Sequence, residues 1–153
     1  MLIATRSGKI NISKEKDTKL VAERLCRFIN LGDFILLSGN LGVGKTTFIK
    51  YIINSLQRIN RQKISEVPSP TFNITNEYQI KKFLIKHYDL YRIQNKSELI
   101  NLDFQENLKK QITIVEWPEI VKKLEIKNSI SLIFKYKIQT LTFLKLKNIY
   151  KSI

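Results

Sequence analysis

Residues 39–46 read Gly39-Asn40-Leu41-Gly42-Val43-Gly44-Lys45-Thr46 and satisfy the pattern G-x-x-x-x-G-K-[ST]. Three of the chain's five glycines lie in this stretch, so the backbone there can curl tightly. Glycines let successive N–H groups wrap around a phosphate, and a helix beginning at the loop's end adds partial positive charge. Lys45 would neutralise β and γ phosphates, while the Thr46 hydroxyl would ligate Mg²⁺. A chance glycine turn before a helix is the bland alternative, and the flanking residues argue against it, as shown below.

A nucleoside triphosphatase also needs an acid at the end of a neighbouring strand to hold Mg²⁺ or its water. Glu116, directly after Ile112-Thr113-Ile114-Val115, is placed for that task. Its competing reading is an exposed strand-end carboxylate. Asp89, in His87-Tyr88-Asp89-Leu90-Tyr91-Arg92, is a second candidate, as a water-orienting base or an outer partner of the metal. A structural ion pair with Arg92 would account for it equally well. Thr71 follows Pro68-Ser69-Pro70, a stiff loop that could present its hydroxyl to a γ-phosphate and Mg²⁺.

The elements that must hold these groups follow from residue spacing. Residues 18–31 place Val21, Leu25, Phe28 and Ile29 at helical intervals, with Asp17 or Thr18 as N-cap and Gly32 past the end. Residues 33–38 are a short apolar run closed by glycines, as in a strand buried on both faces. Phe48, Ile49, Ile52, Ile53 and Leu56 then predict a helix from about Lys45. Residues 65–71 contain two prolines and read as a loop. Residues 71–79 and 82–91 read as extended and can pair as a hairpin; a short helix follows Ser97 and carries Leu99, Leu102 and Phe104. Residues 112–115 form a second buried strand, and Pro118 suits the first turn of a brief helix. In the closing strands Leu132, Phe134, Tyr136 and Ile138 face one way and Lys135 and Lys137 the other. The whole predicts an α/β, P-loop NTPase fold: a mixed, mainly parallel central sheet flanked by helices, with closing antiparallel strands, in a single domain over residues 1–153.

Four blocks in order, LLSGNLGVGKTTFIK (residues 36–50), SPTFNITNEY (69–78), HYDLYRI (87–93) and IVEWPE (114–119), resemble the TsaE family, also called YjeE. The last three are specific to that family among phosphate-loop proteins. The resemblance implies an ATPase required, with partners TsaB and TsaD, for threonylcarbamoyladenosine (t6A) at position 37 of tRNAs reading codons that begin with A. In that family TsaD transfers the group, and ATP hydrolysis by the TsaE component is thought to reset the complex between turnovers. Any contact with tRNA is then indirect or transient. Carried over by position, the nucleotide loop falls on Leu41, Gly42, Val43, Gly44, Lys45, Thr46 and Thr47, the Mg²⁺ ligands on Thr46 and Glu116, and the HxDxYR acid on Asp89. Lys45, Asp89 and Glu116 are the implied catalytic groups. Thr71 matches the SPT threonine, and Trp117 a tryptophan beside the nucleotide, for which core packing is the alternative. His87 matches the family histidine and is read as structural. The base-binding segment falls around residues 13–18. Two departures stand out: Asn40 replaces a usual acid, and Lys50-Tyr51 a usual Arg-Gly.

The chain's 153 residues carry 27 Lys plus Arg against 13 Asp plus Glu, a formal charge of +14. With 21 Lys to 6 Arg, 24 Ile and 12 Asn, much of that charge looks like drift toward AT-rich codons rather than a binding footprint. Residues 120–153 nonetheless hold eight Lys against one Glu. A basic RNA-binding module would interleave exposed aromatics with lysines, whereas the closing strands set them on opposite faces. A small nucleotide or nucleoside kinase would clamp acceptor phosphates with several arginines, and after Arg61 only Arg92 remains. Asn95-Lys96-Ser97-Glu98 is a near miss to the guanine-reading NKxD and precedes the Glu116 strand, the wrong order for a GTPase. One cysteine, Cys26, excludes an internal disulfide framework and points to a reducing compartment. No uncharged apolar run approaches the roughly 18 residues of a membrane span, and the start lacks a signal-peptide core, so a cytoplasmic protein with no membrane association is expected.

Overall fold

The computed structural model describes residues 7–100, 102, 108–123, 126, 128–136 and 140–147. In chain order its elements are β1 (Ser7–Asn11), α1 (Glu15–Leu25), β2 (Phe34–Ser38), α2 (Lys45–Ile59), β3 (Thr75–Ile80), β4 (Phe83–Asp89), α3 (Lys96–Ile100), β5 (Gln111–Glu116), β6 (Asn128–Lys135) and β7 (Thr140–Lys147). The strands form one seven-stranded sheet in the order β1-β7-β6-β2-β5-β4-β3. Its centre, β6-β2-β5-β4, is parallel. Antiparallel pairs close it on both sides, β7 and β1 at one edge and β3 at the other.

Strand parity decides what lies above and below this sheet. In β2, Ile35 and Leu37 join α1 and α2 in the larger core, with Val21, Leu25, Phe48, Ile49, Ile52 and Ile53. Phe34 and Leu36 point the other way, toward Tyr88, Leu90, Leu99, Val115 and Val121. Every residue of β2 and β5 is buried, as a central parallel strand covered on both faces requires. Ile49, Ile52 and Ile53 are fully excluded from water, each stabilising the fold by about 1.5–3 kcal/mol. The same parity puts His87 and Asp89 of β4 on the face of Ile85, and Glu116 of β5 on the face of Ile112 and Ile114. That is the face on which α2 begins.

Several sequence expectations shift. The first helix spans Glu15–Leu25 rather than 18–31, and its N-cap is Lys14, not Asp17 or Thr18. Glu15 and Asp17 occupy its first turn, where carboxylates favour the helix dipole, and Thr18 is buried with its hydroxyl on Ile12 O at 3.2 Å. After Leu25 the chain tightens through 3₁₀-type bonds, Arg27 N to Arg24 O and Phe28 N to Leu25 O, which leaves Phe28 exposed. Pro118 opens a turn and a single 3₁₀ turn (Val121–Lys123), because Val121 N and Lys122 N both donate to its carbonyl. Tyr136 does not continue the core face of Leu132 and Phe134. It is 54% exposed, and its hydroxyl donates to Leu41 O at 3.0 Å. Phe104, Lys137 and Ile138 lie outside the described residues.

Candidate active site

The loop after β2 is shaped by backbone that other residues resist. Gly39, Gly42 and Gly44 all have positive φ, and a Cβ on Gly39 would stand 2.7 Å from Phe134 O. Gly44 caps α2 without any side-chain cap bond, and the first turn that follows, Lys45-Thr46-Thr47, contains no acid. The first amides of α2 are therefore left as donors with partial positive charge, the arrangement that receives a phosphate. Lys45 folds back over this loop: its Nζ donates to Gly39 O at 2.8 Å and Asn40 O at 2.9 Å, and stands 4.1 Å from the centre of the Trp117 ring. Burial lowers the lysine pKa, while the charges of Glu116, Asp89 and Glu119 draw it back upward.

Across the cleft two carboxylates arrive side by side, because β4 and β5 pair Asp89 with Glu116 in parallel register. Glu116 is 3% exposed, not a solvent-facing strand end. It accepts from the Thr46 hydroxyl at 2.9 and 3.1 Å and from His87 Nε2 at 2.9 Å. Asp89 is 6% exposed and makes no ion pair with Arg92 among the described residues. Its Oδ2 accepts from Thr71 Oγ1 at 2.8 Å and from Ser69 Oγ at 3.4 Å, and its Oδ1 from Tyr91 N at 3.0 Å. Arg92 instead lies over the exposed Phe72 ring at 5.1 Å.

These groups line one cleft of about 230 Å³, reached by Leu41, Gly42, Gly44, Lys45, Thr46, Thr47, Ser69, Thr71, Asp89, Glu116 and Trp117. Val43 is the exception among the expected loop residues: it is 7% exposed, belongs to the core, and contributes its backbone to the turn. Trp117 is a wall of the cleft rather than core filling; it has positive φ and packs on Tyr91 at 4.8 Å between ring centres. The cluster presents an ammonium, helix amides and the Thr46 hydroxyl on one side and two buried carboxylates with the Ser69 and Thr71 hydroxyls on the other. It can cradle a polyphosphate, offer hard oxygen ligands to a small cation, and take a proton from water.

A family model described as "Threonylcarbamoyl adenosine biosynthesis protein TsaE" matches residues 12–142. The chain belongs to the TsaE family. Among its relatives, a Rickettsia felis protein named "tRNA threonylcarbamoyladenosine biosynthesis protein TsaE" is 38% identical over 113 residues, 74% of this chain and 64% of that protein. An Aquifex aeolicus protein of the same name is 36% identical over 118 residues, 77% of this chain and 82% of its own. The chain thus spans slightly under two thirds of the Rickettsia felis relative's length. The crystal structure of Bacillus subtilis YdiB superposes with a TM-score of 0.68 over 95% of this chain and 90% of that one; at 24% identity it speaks to fold alone.

Within this TsaE-family chain the structure adds residues that spacing did not single out. Ser69 joins the cleft, its hydroxyl 2.7 Å from Thr71 Oγ1; the Ser-Pro-Thr triplet was its only sequence signal. Lys122 Nζ reaches Ser38 Oγ at 2.7 Å, tying the turn after Pro118 to the root of the glycine loop. Asn95-Lys96-Ser97-Glu98, the near miss to a guanine reader, leads into α3, which begins at Lys96 rather than after Ser97; Glu98 Oε1 accepts from Asn95 N at 3.1 Å as in a capping box, so Asn95 and not Ser97 takes the cap position. Of residues 13–18, Ser13 Oγ donates to Asn11 Oδ1 at 2.6 Å and Thr18 is buried.

Proposed function

We propose that this chain binds ATP with Mg²⁺ and hydrolyses it as the TsaE component of tRNA t6A synthesis, working in the cytoplasm with TsaB and TsaD to reset their complex between turnovers. The observation that carries the reading is the Thr46 hydroxyl on Glu116 at 2.9 and 3.1 Å, beside an ammonium held over a glycine loop. A hydroxyl and a carboxylate are hard oxygen donors, and Mg²⁺ needs only one or two from protein when phosphates and waters complete its shell. Thr46 and Glu116 therefore fit Mg²⁺, which would neutralise charge on the β and γ phosphate oxygens.

The chain's own residues account for the rest. Loop amides and Lys45 would hold the phosphates, with Lys45 leaving Gly39 O and Asn40 O to do so. Asp89 or Glu116 would orient the attacking water. Thr71, hydrogen-bonded to Asp89 on a proline-bounded loop, would sense whether a γ-phosphate is present and pass that to a partner surface. Trp117 would flank the nucleotide. Catalysis of this kind is mostly positioning and charge stabilisation, so slow turnover by the chain alone is expected. The test is ATPase turnover and co-purification with and without a TsaB–TsaD pair: a rise in turnover and retention on the pair support the reading. Phosphoryl transfer to nucleosides with no response to the pair overturns it.

A further inference from the structure

His87 has no task in the chemistry above and does not line the cleft, yet it is fully buried against Glu116, which does. It sits two residues before Asp89 on the same face of β4, in register with Ile114 of β5. Its Nε2 lies 2.9 Å from Glu116 Oε1, while its Nδ1 is buried with no hydrogen-bond partner. A carboxylate can only accept, so Nε2 carries the hydrogen. An apolar side chain would fill the same space without stranding a ring nitrogen, so the bond to Glu116 is what the imidazole contributes.

Glu116 Oε1 accepts from both His87 and Thr46, whereas Oε2 has only the Thr46 hydroxyl among the described residues. If the Thr46 hydroxyl turns to a metal, His87 is the described side chain that still grips the carboxylate. We infer that His87 is a positioning residue: by donating to Oε1 it fixes the rotation of the Glu116 carboxylate and reserves Oε2 for the Mg²⁺ shell. The inference rests on the Mg²⁺–nucleotide reading of the site. Partners that orient a metal-binding carboxylate change metal affinity by about 10–100-fold when removed.

The experiment titrates Mg²⁺ into protein saturated with ADP, followed by emission of Trp117, the chain's one tryptophan. It compares wild type, His87→Leu and His87→Gln, the last keeping an N–H near the Nε2 position. Thermal melting and ADP affinity in EDTA are measured for each. Expected are similar ADP affinities in EDTA, a Mg²⁺ midpoint raised about tenfold or more in His87→Leu, and recovery to within about threefold in His87→Gln. A folded His87→Leu with the wild-type Mg²⁺ midpoint overturns the inference and leaves the Mg²⁺–nucleotide reading standing. Loss of ADP binding in EDTA by both variants also overturns it, since the ring would then support the whole cleft. No Mg²⁺ response in wild type defeats the underlying reading itself.

Discussion

The Lys45 ammonium rests between two carbonyl oxygens and an aromatic face, with Glu116, Asp89 and Glu119 offsetting the cost of its burial. A polyphosphate offers it more negative charge than two carbonyl dipoles, so nucleotide should draw Nζ off the Trp117 ring and change the tryptophan's emission. Lys45→Met should abolish that response and weaken ADP binding about 100-fold, because charge-assisted bonds to phosphate contribute roughly 1.5–3 kcal/mol each. Fluorescence titration checks both, and unchanged affinity in the variant would remove Lys45 from the binding site. Asp89→Asn keeps an acceptor for Tyr91 N but loses one of the two carboxylate oxygens and its charge. Its kcat should fall about 100-fold with ADP affinity within about threefold; full hydrolysis in both this variant and Glu116→Ala would refute the water-orienting role. Lys45, Thr46 and Glu116 were legible in the sequence because a loop motif and a strand end are local patterns. The bonds from Thr71 to Asp89 and from His87 to Glu116 were not, since both depend on strand register and on the path of a proline loop, which no local spacing encodes.

Where β2 passes into the loop and the loop into α2, backbone fit decides whether the site can form. A methyl group on Gly39 would meet Phe134 O at 2.7 Å and Phe134 Cβ at 2.9 Å, contacts that no rotamer change can relieve, at a φ of 141°. Overpacking and strain together should cost Gly39→Ala about 2–4 kcal/mol, pushing β6 away from the loop and lowering Tm by about 5–15 °C. Gly8 in β1 has nothing within 4 Å of its added Cβ, so Gly8→Ala should stay within about 0.5 kcal/mol of wild type. Equal melting temperatures for the two variants would refute the argument. The same local continuity made this segment readable: an apolar run, glycines and a helical period adjoin in sequence. The hairpin of β3 and β4 and the buried strand β5 were readable for similar reasons. The strand β1 went unread because Ser-Gly-Lys-Ile-Asn carries no alternation, and only pairing with β7, more than a hundred residues away, makes it a strand. The helix α1 begins three residues before the position that Asp17 as a cap implies, because Asp17 serves within the first turn. Tyr136 fitted the period of β6, yet its hydroxyl takes it to Leu41 O instead of the core.

At the scale of the whole molecule, Cys26 is a built-in reporter of opening. It lies in the core where α1 meets α2, with Sγ 3.5 Å from Ile52 O, and burial, helped by Glu23, pushes its pKa from 9.0 to about 12. The folded state thus holds the thiol proton more tightly than the unfolded chain does. That contribution to stability is complete below pH 9 and declines toward pH 12, by about 1.4 kcal/mol per unit, and a Cys26→Ala variant should lack the decline. The thiol is buried and holds its proton tightly, so alkylation must wait for the core to open. A ligand that binds only the folded protein lowers the open population by 1 + [L]/Kd. MgADP at a hundred times the wild-type Kd should therefore slow Cys26 alkylation about a hundredfold in wild type and only about twofold in Lys45→Met. Slowing of that size means that the glycine loop, α2 and the α1 seam unfold as one cooperative unit, so that occupancy of the cleft is felt throughout the helical layer on that face. Labelling indifferent to MgADP in a protein that binds it would show instead that α1 detaches alone, with the phosphate loop still formed.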